Sequence, residues 1–149
     1  MKFISFKLFS ARNIIQLNEP IRFNKIRVNK IRYKTTRDYA GILSINITGL
    51  NTNDYLDPTT KYKYFYSLFV SDANNQIINF INPDIRFSYD GSDHRIFNTF
   101  SFKILIDGIE DANITINNPF LIELEYEEIE NNLLEIDDFY DVVMKQNTL

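Results

Sequence analysis

Ile21-Arg22-Phe23-Asn24-Lys25, Ile26-Arg27-Val28-Asn29-Lys30, Ile31-Arg32-Tyr33-Lys34 is a near-repeat of five residues, and its reading decides the fold. Each unit sets two apolar residues two positions apart, at 21/23, 26/28 and 31/33. Side chains alternate sides along a strand, so a regular strand keeps its apolar residues at one parity. Here the parity goes from odd to even and back to odd. Each change requires one extra residue, which predicts bulges or a bend near Asn24-Lys25 and Asn29-Lys30. Three units are too few for a solenoid.

The same period of two runs outward from this segment. Ile4, Phe6 and Leu8 alternate with Ser5 and Lys7 in a first strand. Asn13–Leu17 reads as a second, closed by Asn18-Glu19-Pro20, where Pro20 marks a strand start because it cannot donate to a ladder. Further strands are expected at Ile42–Ile47, Tyr62–Val70, Ile77–Ile81, Ile85–Tyr89, Ile96–Ile106, Ala112–Ile116 and Phe120–Tyr126. Asn51–Thr60, Asp72–Asn75, Asn82-Pro83-Asp84, Asp90–Asp93 and Asp107-Gly108 supply loop and turn residues between them. Short strands with turns at such spacing predict an all-β antiparallel sandwich, jelly-roll-like, over residues 1–126. After Tyr126 the period changes. Ile129, Leu133, Ile136, Tyr140 and Val143 form one helical stripe, so Glu127–Lys145 is expected to be an acidic amphipathic helix, with a tail as the alternative for residues 127–149.

Composition agrees with a sheet. A chain of 149 residues with 13 Phe and 9 Tyr can bury a full core. The absence of cysteine removes disulfide and thiolate chemistry. No cleavable leader or apolar run of membrane-spanning length is read in the sequence.

Charge is divided sharply. Residues 1–65 hold 12 Lys+Arg and 4 Asp+Glu, whereas residues 66–149 hold 4 and 16. The basic cluster is Arg22, Lys25, Arg27, Lys30, Arg32 and Lys34; the acidic one runs over Glu123–Asp141 and includes Glu123, Glu125 and Glu127. Such asymmetry favours contact with copies of the chain or with oppositely charged neighbours. Phe139 and Tyr140 would anchor a docked C-terminal helix. The net charge of −4 argues against nucleic acid as a general partner.

Catalytic readings are weak. His94 is the only histidine, and a residue at a polar turn is the simpler account of it. Asp90–Asp93 and Asp54–Asp57 offer oxygens to calcium but lack the EF-hand spacing. Glu123, Glu125 and Glu127 share a uniformly acidic strand face, without the contrasting environments a glycosidase pair needs. No enzyme activity, metal or cofactor is expected. Tyr62, Tyr64 and Tyr66 share a strand face, which leaves a carbohydrate-binding module as the alternative function through ring stacking.

Two stretches carry a resemblance. Leu17–Tyr33, with Asn18-Glu19-Pro20 before the Ile/Val alternation, resembles the opening strands of single jelly-roll minor capsid proteins. Phe97–Ile104, leading through Asp107-Gly108 to Phe120–Tyr126, resembles their late strands. The family is the penton or cement-type capsid proteins of large eukaryotic DNA viruses and virophages. It implies a non-enzymatic virion protein, assembled in the host cytoplasm, that fills vertices or glues capsomers by contacts with other capsid proteins or with itself. The acidic C-terminal segment is not part of the pattern.

Overall fold

The computed structural model describes residues 1–34, 39–56, 61–72 and 77–129. Among these there is no helix. The strands are β1 (Lys2–Leu8), β2 (Arg12–Lys34), β3 (Tyr39–Ile47), β4 (Asn53–Leu56), β5 (Lys61–Tyr64), β6 (Tyr66–Asp72), β7 (Ile77–Ile81), β8 (Tyr89–Ile106), β9 (Ile109–Glu110) and β10 (Phe120–Glu128). Eight of them form one antiparallel sheet in the order β1-β10-β2-β8-β3-β6, with β7 also on β2 and β9 on β8; β4 and β5 pair separately.

The sheet folds over itself. β1 and β8 stand three places apart in the strand order, which in a flat sheet would separate them by about 14 Å. Yet the Phe6 ring on β1 lies 4.9 Å from each of Phe100 and Phe102 on β8. Curling of this kind turns one sheet into the two walls of a sandwich. Phe6, Phe23, Phe100, Phe102, Phe120 and Ile122 fill the space between the walls.

The pentad repeat explains how β2 serves both walls. On β10, Lys25 faces Glu127 but Phe23 faces Glu128, so Asn24 is unmatched. Likewise Lys30 faces Glu123 while Val28 faces Leu124, and Asn29 is unmatched. These are the two bulge positions predicted from parity. Because of them Phe23, Ile26, Val28, Ile31 and Tyr33 all reach the core from one continuous strand.

Several local expectations are corrected. Asn18-Glu19-Pro20 does not end a strand; the β2–β8 register jumps between Gln16 and Ile21, and Pro20 sits in that interruption, where no donor is required. Asp90–Asp93 is not a turn but part of β8, with Gly91 lying close under the Tyr89 ring. Tyr62–Val70 is divided at Phe65, whose side chain is buried. Neither Ile85–Ser88 nor Ala112–Ile116 is a strand. In both places Asp side chains accept the backbone N–H two residues on, Asp84 from Arg86 and Asp111 from Asn113, at 3.0 Å each, and such turns compete with ladders.

Asp107-Gly108 does make the tight turn expected, linking Ile106 to Ile109 with both central residues at positive φ. At the far end, Glu127 and Glu128 belong to β10, and the Ile129 N–H donates to the Arg22 carbonyl at 3.1 Å. A helix starting at Glu127 is therefore excluded, because those two residues are held in the ladder. The rest of the expected helix, with Phe139 and Tyr140, lies outside the described residues, as do the side chains of Asp54–Asp57 and Tyr62.

Candidate functional site: a charged outer face and an aromatic cleft

The basic and acidic clusters, which sequence alone assigned to contacts with partners, are neighbours within the same sheet. β2 and β10 run antiparallel, placing Lys30, Arg27 and Lys25 opposite Glu123, Glu125 and Glu127. Arg27 is 5 % exposed and its Nη1 donates to Glu125 Oε1 at 2.7 Å. Its remaining donors are also used: Nε reaches the Asp84 carbonyl at 3.1 Å and Nη2 the Asn82 carbonyl at 3.1 Å. Arg27 is thus removed from the expected contact set, because its burial and its filled donors leave it nothing to offer a partner, and Glu125 is tied to it through Oε1. Lys25 and Glu127 pair at 4.0 Å near the surface, a contact of small energetic weight. Glu123 accepts from Asn29 Nδ2 at 2.6 Å and lies within 3.4 Å of Ser5 Oγ.

What remains is a row of cations on the outer face of β1, β10, β2 and β7. Lys7, Leu121, Arg32 and Asn79 stand in register across the four strands, and Ser5, Glu123, Lys30 and Ile81 form the adjacent row. All of these but Ile81 line a shallow hollow of about 330 Å³. Lys30, Arg32, Lys34 and Lys7 are exposed, Arg22 is half-buried, and Ile77 and Ile81 are exposed beside them. Lys7 also protects the edge strand β1 from unwanted pairing, whereas Lys30, Arg32 and Lys34 lie on β2, which is paired on both sides.

A second concavity opens on the other side of the Arg27 network. Asn82, itself buried, donates from Nδ2 to the Val28 carbonyl at 2.8 Å and accepts at Oδ1 from the Tyr66 hydroxyl at 3.2 Å and from the Asp84 N–H at 3.0 Å. The Asn82-Pro83-Asp84 turn is thereby fixed from beneath by Arg27 and from within by Asn82. Asp84 in turn holds Arg86: Nε lies 3.0 Å from Oδ1 and Nη2 lies 2.7 Å from Oδ2. These hydrogen bonds from Arg86 pull the Asp84 carboxyl down to about 2, with the charges of Arg86 and Arg27 acting the same way. Burial raises the Tyr66 phenol above its ordinary value, and the nearby Asp84 charge adds to that.

Tyr64, Tyr66 and Phe87, all half-buried, line a cleft of about 380 Å³ together with Asn82, Asp84 and Arg86. The structure thus brings together two of the three tyrosines singled out in the sequence, although they lie on separate strands. Asn82, Asp84, Arg86 and Phe87 were missed; the available signal was an Asn-Pro-Asp turn followed two residues later by arginine.

His94 is exposed on β8. Among the described residues, no group of three or more His, Cys, Asp or Glu is placed to hold a metal ion. No described helix is long and apolar enough to cross a membrane. No protein-family model matches the chain, and none of the curated proteins matches it either.

Proposed function

We propose that the protein is a non-enzymatic structural subunit, of the minor capsid or cement type, that docks to neighbouring copies or capsid proteins through the outer face of β1, β10, β2 and β7. The observation that supports this most is the pair of cross-strand rows carrying Lys7, Lys30 and Arg32 without ion pairs among the described residues, around the apolar Leu121. A chain of net charge −4 that neutralises Arg27 internally but sets three cations against the one carboxylate of Glu123 on this face has a surface suited to an acidic, partly apolar partner. Exposed Ile77 and Ile81 on β7 supply apolar area at its margin.

Size-exclusion chromatography with light scattering, at low and high salt, tests self-docking. The expected result is an oligomer that dissociates at high salt and is abolished by the combined changes Lys7→Glu, Lys30→Glu and Arg32→Glu. These residues are exposed, so the variant keeps its fold. A wild-type chain that remains at 17.6 kDa at every salt concentration removes self-docking. Capsid partners are tested by pull-down with the same variant, and undiminished capture would sink the proposed face.

A further inference from the structure

We propose that the cleft between Tyr64–Tyr66 and Asn82–Phe87 is a binding site for a neutral pyranose sugar. This goes beyond the structural role and stands or falls independently of it. Three kinds of observation carry it: the lining, its rigidity and its charge.

The lining is amphipathic in the sense that a sugar ring is. A pyranose has a C–H face that packs on aromatic rings and an equator of hydroxyls that need donors and acceptors. Tyr64, Tyr66 and Phe87 provide the first, while Asp84 and Arg86 provide the second. Of the five N–H donors of Arg86, the Asp84 carboxylate engages Nε and one on Nη2, leaving three in a fixed plane for ligand oxygens. A cleft of about 380 Å³ falls within the ordinary range for small-molecule sites.

Rigidity points the same way. Burying an arginine is costly unless every donor is used. Here Arg27 uses its donors on the backbone carbonyls of Asn82 and Asp84, holding in place the surface turn that carries the polar wall. The Asn82 side chain then fixes both the Tyr66 hydroxyl and the Asp84 N–H. Recognition groups whose conformation is set before binding lose less entropy on binding.

Charge selects among ligands. Asp84 cancels Arg86, Glu125 cancels Arg27, and Lys25, 6.0 Å over the Phe87 ring, pairs with Glu127. The cleft has no surplus charge to compensate a phosphate or carboxylate, so an uncharged, hydroxyl-rich ligand fits best.

Saturation-transfer NMR on the full chain tests the site. The probes are methyl glucoside, methyl galactoside, methyl mannoside and N-acetylglucosamine, with sialic acid and inorganic phosphate as anionic comparators. The expected result is transfer to the ring C–H protons of at least one neutral probe, with affinity reduced several-fold to about tenfold by Tyr64→Ala. Arg86→Gln keeps the test valid should Tyr64→Ala fail to fold, because the Arg86 side chain is 86 % exposed and carries no packing. No transfer to any neutral probe, transfer to the anions alone, or affinity unchanged by Arg86→Gln would each overturn the proposal.

Discussion

Arg27 and Glu125 face one another across β2 and β10 with 2.7 Å between Nη1 and Oε1, and both side chains are largely withdrawn from water. Glu127 and Glu128 also meet cations within the chain, Lys25 and Lys2 near the surface, while Glu123 accepts a hydrogen bond from the uncharged Asn29 amide. Charge asymmetry along the sequence is therefore partly a record of strand pairing, since an acidic strand and a basic strand that lie side by side stabilise each other's register.

Removing one partner of the buried pair should cost far more than removing both. Arg27→Met leaves the Glu125 carboxylate uncompensated and frees the Asn82 and Asp84 carbonyls, at a cost of about 3–5 kcal/mol. Adding Glu125→Leu should restore a large part of that loss. Urea unfolding of the two single variants and the double variant checks this, and strictly additive losses would show that the pair is not coupled.

Deleting Asn29 should be more damaging than any substitution there. Loss of the extra residue moves Ile31 and Tyr33, both fully buried, to the outer face, while Lys30 and Arg32 turn inward. The expected outcome is loss of near-ultraviolet circular dichroism and of cooperative unfolding. A deletion variant melting at the wild-type temperature would mean that the bulge does not set the register.

This bulge shows what the sequence makes legible. Parity is arithmetic on neighbouring residues, so Asn24 and Asn29 could be placed from five-residue spacing alone, and Asp107-Gly108 from its turn chemistry. Arg27 could not be told from Arg22 or Arg32, which occupy equivalent pentad positions. Its burial depends on a turn 55 residues away that covers it. The cleft was half legible for the same reason: Tyr64 and Tyr66 are local, whereas their juxtaposition with Asp84 and Arg86 comes from packing between distant segments. Strand expectations failed at 85–88 and 112–116 because Asp84 and Asp111 satisfy the backbone locally.

Gly41 is expected to resist substitution. Its φ of +139° lies where L residues are strained, and a Cβ there would collide with the Asp107 carboxylate. That carboxylate is not free to withdraw, since Oδ1 accepts from the Ile42 N–H at 2.9 Å. Gly41→Ala should destabilise by about 1–3 kcal/mol. In an Asp107→Gly background the same change should cost less, because only the backbone strain remains. Equal costs in thermal denaturation of the two backgrounds would place the whole effect in the strain.

Asp84 gives a pH signature to the polar wall of the cleft. Hydrogen bonds from Arg86 hold its carboxyl at about 2 in the folded chain, against about 3.9 for a free aspartate. A depressed carboxylate contributes stability that is complete above the unfolded value and is lost as pH falls through the folded one. The Asp84–Arg86 contact should therefore weaken only between about pH 4 and pH 2, and the cleft should keep its geometry throughout the neutral range. Carboxyl-carbon NMR should find the Asp84 midpoint near 2, and Arg86→Gln should move it toward the ordinary value. Because the site is open to solvent, the effect on global stability should be slight even where the titration is plain. A midpoint near 4 in the wild-type chain would show that Arg86 does not hold the carboxylate in solution, and the preorganised donor plane would go with it.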